Sequence, residues 1–292
     1  MQNIRKILVA LDYSYMDEVL LSNCKELLKV VGLTELHFIH VIPKYISKVN
    51  IPARLAKIEQ DLSIKVKQLL RDKIDSFQLS NGQVVYYKIH IKEGPAYQLI
   101  SEMANEDNFD LLIVGKKFLS KGSGLTPRRI AKNIRCDLLI IPQNATSTFN
   151  KILIPMDFSD DSIKALRRAI QWQRESKCSI ELVHILLKYR AGYYIDIDLN
   201  NEHFMFYKNE AEREWKSILY DLGIDSERYP MTYIKNIHQQ KADILLEYVD
   251  NNKIDHVVIG ARGKSNFQKI LYGSLTEIFV EKNTTATTLI VR

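Results

Sequence analysis

Cysteine is scarce: the 292 residues hold three, Cys24, Cys136 and Cys178, widely spaced and without a Cys-x-x-Cys pair. That excludes a disulfide framework and a thiolate zinc site, and leaves buried free thiols. Long apolar runs are missing too. ILVAL at 7–11 and LLII at 138–141 fall far short of the roughly 20 residues that cross a bilayer. The first strand-like segment begins at Ile4, leaving no stretch for a secretory leader, so no membrane association and a cytoplasmic location are expected.

The usual catalytic signatures are absent. Seven histidines form no His-x-x-x-His and no ligand cluster, and no Ser/His/Asp ordering suggests a nucleophile. Gly263-Lys264-Ser265 looks like the end of a P-loop, but the required first glycine falls on Val258. The dinucleotide fingerprint Gly-x-Gly-x-x-Gly does not follow the first strand of either half. The second half has MDFSDDS there, without the glycines of the Ser-Gly-Gly-x-Asp-Ser loop of ATP pyrophosphatases. A net charge of +6 is spread among 35 acidic residues with no basic run, so a mixed, solvated surface is expected and nucleic acid is not.

What the chain does contain is itself, twice. IRKILVALDYS (4–14) returns as NKILIPMDFSD (150–160), FIHVI (38–42) as LVHIL (182–186), and FDLLIVGK (109–116) as IDHVVIGA (254–261). The offsets 157−12, 184−40 and 260−115 are 145, 144 and 145 residues, in the same order, which marks a tandem duplication. The polar stretch QNATSTFN (143–150) is the joint, giving domains at 1–146 and 147–292.

Each half alternates strands with helices. In the second, strands are expected at 152–156, 180–186, 231–235, 256–260 and 287–291, with helices near 160–176, 203–221, 239–252 and 274–282. Ile163, Leu166, Ala169 and Ile170 form one core stripe, and Tyr207, Ala211, Trp215, Ile218 and Leu222 another. Leu55, Ile58, Leu62, Val66 and Leu69 are the corresponding stripe of the first half. Continuous apolar strands such as HVVIG predict a parallel sheet covered on both faces, where ligands bind beyond the carboxyl ends of the strands at the switch point. Asp157 and Gly260 both fall there.

The loop after Gly260 ends at Gly273-Ser274, opening a helix whose N-terminal amides and dipole suit an anion. Glycines at 260, 263 and 273 permit positive φ and close backbone approach, and Ser274 and Thr276 add hydroxyl donors. Asp157, an acceptor when ionised, suits an amino group or a ribose hydroxyl. The plainer alternative is a helix entry with glycine turns and an Asx-type turn at Asp157. Asp160 and Asp161 read either as helix-dipole partners or as a reach toward magnesium. His40 and His184, at equivalent strand positions, suggest structural partners within each repeat.

IPMDFS together with GARGKSNFQKILYGSLTE, with its Gly-x2-Gly-x9-Gly-Ser spacing, resembles the ATP-binding branch of the universal stress protein family. The resemblance runs over nearly the whole chain. It implies two tandem flavodoxin-like α/β domains, of the adenine nucleotide alpha hydrolase kind, each a five-stranded parallel sheet with helices on both faces. It also implies ATP, with Mg2+ accompanying it, in the second domain. By position, Pro155, Met156, Asp157 and Ile185 would meet adenine and ribose. Gly260, Gly263, Gly273, Ser274, Leu275 and Thr276 would surround ribose and phosphates. The implied role is a nucleotide-dependent stress-response or regulatory module with an unidentified protein partner. Slow ATP hydrolysis, for which Lys264 is the one residue to watch, and a nucleotide-free interaction scaffold are the alternatives.

The first half departs from this pattern. Gly115 stays, but Phe118 stands in the place of Gly263, and the loop to Leu125-Thr126 is five residues shorter than that to Leu275-Thr276. A helix start at Thr126-Pro127 and loss of the high-affinity ATP site are expected. Lys116, Lys117, Arg128 and Arg129 read as a solvated face, with a small anion as the alternative. The resemblance further implies an internal pseudo-dimer through Leu138–Ile141 and Thr287–Val291, open edges that seek pairing, with a homodimer of whole chains as a further candidate.

Overall fold

The computed structural model describes residues 4–31, 35–43, 53–79, 86–118, 127–186, 201–225, 227–236, 239–263 and 273–292; the side chains of 53–62, 128 and 201–203 are outside that description. Lys264, Leu125-Thr126 and the side chains of Leu55, Ile58, Leu62 and Arg128, all named above, therefore lie outside it. The chain divides into two compact units, Met1–Thr148 with Thr284–Leu289, and Phe149–Asn283 with Ile290–Arg292.

Both halves show the alternation expected of them. The first runs β1 (Lys6–Leu11), α1 (Met16–Val31), β2 (Glu35–Ile42), α2 (Ala53–Ser76), β3 (Tyr87–Glu93), α3 (Ala96–Glu106), β4 (Leu111–Lys116), α4 (Pro127–Ala131) and β5 (Asp137–Pro142). The second runs β6 (Lys151–Pro155), α5 (Asp160–Ser176), β7 (Ser179–Leu186), α6 (Asn201–Asp221), β8 (Met231–Lys235), α7 (Lys241–Asn252), β9 (His256–Gly260), α8 (Ser274–Lys282) and β10 (Thr287–Val291). The first half orders its strands β3-β2-β1-β4-β5 and the second β8-β7-β6-β9-β10. The fold is thus two α/β domains, each a five-stranded parallel sheet with helices on both faces. Its switch points lie between β1 and β4 and between β6 and β9, where the first βα loop of each half faces the loop after the fourth strand.

The central strands are apolar along their whole length because both sheet faces are covered, and β5, β9 and β10 are buried at every position. In α5, Ala165, Leu166, Ala169 and Trp172 are buried, and the helix has a cap at each end. Ser159 accepts from Ser162 N–H at the start, and Lys177, left-handed at φ 59°, closes the end through a bond to Gln173 O. The stripe on α6 holds in part: Ala211 and Trp215 are buried, Tyr207 and Ile218 are half-buried, Leu222 lies just past the helix end, and Leu219 joins the core instead. On α2 the expected phase is corrected. Leu69 is exposed, and Leu70 and Ile74 carry the core contact, because apolar side chains occur on both faces of this helix and periodicity alone did not rank them.

At the amino ends of β2 and β3 a chain of polar side chains crosses the ladder. Glu35 Oε1 meets His37 Nε2 at 2.9 Å, and His37 Nδ1 meets His90 Nε2 at 3.0 Å. Lys88 pairs with Glu35 at 3.0 Å, and Phe109 sets its edge against His37. Bonds from His37 and then Lys88 lower the Glu35 carboxyl from the ordinary 4.5 to about 2. Burial, then the neighbouring His37, holds His90 below its ordinary 6.5, with Asp107 opposing and Lys92 and Lys88 adding to the shift. Both shifts have the same sign for stability, because the unfolded chain takes up each proton first as pH falls. The His90 contribution is present above about 6.5 and lost below it; that of Glu35 is lost from 4.5 down toward 2. The melting temperature is therefore expected to drop between pH 7 and pH 5, and His90→Gln to flatten that slope. A variant with the wild-type slope would remove His90 from the account.

Candidate functional site

The second-half crevice begins where β6 ends. Met156 N–H donates to Val183 O at 2.8 Å, and Met156 O lies 2.8 Å from His184 Nδ1, which therefore carries the proton. His40 makes the same bond to Leu11 O at 3.0 Å, so both histidines tie down the carbonyl at the exit of their first strand. The chain then turns through Phe158, left-handed at φ 62°, an unfavourable conformation for a side chain of this size. Its ring stacks on His184 at 4.5 Å and faces Trp215 at 6.3 Å, contacts that offset the strain. Tyr13 is left-handed at the matching place in the first half, φ 58°.

The turn sets Asp157 against the exit of β9. Asp157 Oδ1 accepts from Ser159 N at 3.1 Å and from Ser159 Oγ at 2.5 Å, an Asx-type arrangement that also starts α5. Oδ2 faces Gly263: a Cβ built there would lie 2.6 Å from it. Lys241, the first residue of α7, is half-buried. Burial lowers its ammonium pKa, and the Asp157 charge opposes that shift. This lysine was not singled out from the sequence, where one lysine at a helix start carries no signal.

The motif glycines do not have the conformation expected of them. None of Gly260, Gly263 and Gly273 has a positive φ; among the described glycines that belongs to Gly94 and Gly223. Proximity explains two of the three. A Cβ on Gly260 would fall 2.6 Å from Asp161 C and 2.8 Å from Asp161 O, so glycine lets α5 pack onto the end of β9. Gly263 gives room to the Asp157 carboxylate. A Cβ on Gly273 would meet only ordinary contacts, the nearest Ala261 O at 3.5 Å and Gly263 N at 3.6 Å. Gly273 is the N-cap of α8 and supplies no side-chain cap, so the amides of Ser274, Leu275 and Thr276 head a helix whose dipole faces the crevice mouth.

Ser274 is exposed and Leu275 half-buried. Thr276 is buried, and its hydroxyl donates to Gly260 O at 3.1 Å, which corrects its expected role as a donor to ligand: it ties α8 to β9. Pro155, Met156 and Ile185 are buried near the carboxyl ends of β6 and β7, with Pro155 in register with Val183. Asp160 is exposed. Asp161 is buried and accepts from Lys164 Nζ at 2.8 Å and from Arg262 N and Nε at 3.1 Å each. Burial opposes its charge, but Lys164 and Arg262 outweigh burial and keep the carboxyl below its usual range. Those bonds engage Asp161 with Lys164 and Arg262, and no group of three or more metal-ligating side chains occurs among the described residues.

In the first half the side chains around Asp12 pair with one another. Lys117 pairs with Asp12 Oδ2 and lies over the Tyr15 ring at 5.8 Å, so it is not the solvated cation expected from sequence. Tyr15 donates to Gln143 Oε1 at 2.7 Å, and Phe118 N–H reaches the same oxygen at 3.3 Å. Lys73 donates to Ser14 O at 3.0 Å and stands 3.7 Å from Asp17, a fully buried carboxylate whose pKa burial raises. Arg129 packs over Tyr97 at 5.7 Å. No helix among the described residues is long and apolar enough to cross a membrane.

Comparison with known proteins bears on the fold and the family. A universal stress protein of Methanocaldococcus jannaschii is 24% identical over 159 residues, covering 52% of this chain and 87% of that protein. One of Bacillus subtilis is 27% identical over 154 residues, covering 49% of this chain and 99% of that protein. Among solved structures, a universal stress protein of Archaeoglobus fulgidus superposes with a TM-score of 0.69 at 14% identity, over 99% of this chain and 97% of that one, a likeness of fold. The sequence profile of the universal stress protein family matches residues 3–142 and again 148–292. With a repeated sequence, a repeated sheet and a repeated match, the chain belongs to the universal stress protein family as a tandem member.

Proposed function

We propose that the second domain binds one adenine nucleotide, ATP with its Mg2+, and that occupancy makes the chain a nucleotide-dependent regulatory module of stress response. The observation that carries this reading is the contrast between the two crevices. Asp157 faces a glycine beside the N-terminus of α8, whereas in the first half Phe118 stands where that glycine would be. A carboxylate next to an anion-seeking helix end suits a molecule with hydroxyls at one end and phosphates at the other. Pro155, Met156, Ile185 and Asp157 take the nucleoside. Gly263, Gly273, Ser274 and Leu275 take the phosphates through main-chain donors, and Gly260 and Thr276 serve by shaping the loop. Lys241 places a positive charge beside the nucleoside end.

Native mass spectrometry and calorimetric titration test this directly. One ATP per chain is expected, and Asp157→Ala should weaken ATP and adenosine alike, by roughly a hundredfold, the effect of losing about 2.7 kcal/mol of charge-assisted bonding. Two nucleotides per chain, or none, would sink the assignment to the second domain.

A further inference from the structure

We propose that Asp161 is a positioning residue for the anionic end of the second crevice: by holding Arg262 it aims the Gly263 N–H toward the space in front of α8. The inference rests on the nucleotide reading above and adds to it a residue outside the glycine motif.

The backbone from Ala261 to Arg262 is pinned group by group. Ala261 N–H donates to Val291 O at 2.9 Å, and Ala261 O accepts from Gly273 N–H at 2.8 Å. Arg262 N–H and Nε–H both end on Asp161 Oδ2 at 3.1 Å, so one oxygen holds the peptide and the side chain together. Asp161 is itself immobile: it is 5% exposed, its other oxygen takes Lys164 at 2.8 Å, and its backbone lies against Gly260. The next amide along, Gly263 N–H, has no partner among the described residues, and position 273 would place a Cβ 3.6 Å from it. A donor aimed before the ligand arrives spares the ordering cost at binding. Without Asp161 that peptide keeps only the bond from Gly273 N–H to Ala261 O and the Arg262 side chain is released, so part of that cost returns, for the phosphate end alone.

The experiment is calorimetric titration of the full chain with MgATP and, separately, with adenosine, for wild type, Asp161→Asn and Arg262→Gln, with melting temperatures alongside. Asp161→Asn should lower ATP affinity about tenfold, in line with a lost charge-assisted bond, and leave adenosine within about twofold. Arg262→Gln keeps the main-chain bond and loses only the Nε contact, so its ATP loss should be smaller, and it serves as the readout if Asp161→Asn does not fold. Unchanged ATP affinity in these variants, with wild type binding normally, overturns the role of Asp161 and leaves the nucleotide reading intact. Equal weakening of both ligands with a lowered melting temperature also overturns it, since Asp161 would then act on the fold alone. If wild type binds neither ligand, the nucleotide reading falls and this inference with it.

Discussion

Gly263→Ala is expected to lower ATP affinity about a hundredfold with little change in melting temperature. The added methyl would lie 2.6 Å from Asp157 Oδ2, closer than any real contact, so the carboxylate must swing away. In doing so Oδ2 leaves the position proposed to receive the ribose. Charge-assisted bonds contribute about 1.5–3 kcal/mol each, and about 2.7 kcal/mol is a hundredfold in affinity. The fold has no matching reason to suffer, because φ at 263 is not in the left-handed region and alanine restricts the unfolded chain slightly more. Titration with ATP beside a thermal melt separates the two effects. Wild-type affinity in this variant would show that Asp157 does not face the ligand.

Gly260→Ala should do the reverse and unfold the second domain more readily, by about 3 kcal/mol, the upper end for an overpacked core. Here the methyl meets the main chain of Asp161, with C at 2.6 Å and O at 2.8 Å, and neither atom can step aside unless α5 shifts as a whole. The internal control is Gly115→Ala in the first half. Its methyl would meet Met16 Cγ at 2.6 Å, an unbranched thioether that can change rotamer, so the loss should be clearly smaller. Chemical denaturation of the two variants reads the difference. Equal losses would mean that main-chain contact is not what makes residue 260 glycine.

These two glycines show where sequence reasoning reaches and where it stops. The repeat and the alternation of apolar runs revealed the number, kind and order of elements, and α5, α8 and β8–β10 occupy the residues expected of them. Such signals are local and periodic. A glycine announces that a side chain is missing, but whether torsion or crowding forbids it depends on residues about a hundred positions away, such as Asp161 behind Gly260. Arg262 and Asp161 are 101 residues apart, and Lys117 and Asp12 are 105 apart. Lys117 read as solvated and Asp161 as a dipole partner until the fold brought the mate of each alongside. The phase of α2 was missed for another reason: Ile64 and Leu69 are exposed on the same helix that buries Leu70 and Ile74, so its hydrophobic face had no single direction to read.

Both tryptophans of the chain, Trp172 and Trp215, lie on helices of the second half, and the first half has none. Trp215 faces Phe158, the residue that follows Asp157, at 6.3 Å, while Trp172 is sealed in the core at 1% exposure. Indole emission from the intact chain is therefore the voice of one copy only. A built-in optical reporter stands beside the crevice, its twin serves as a buried reference, and the half without tryptophan stays dark.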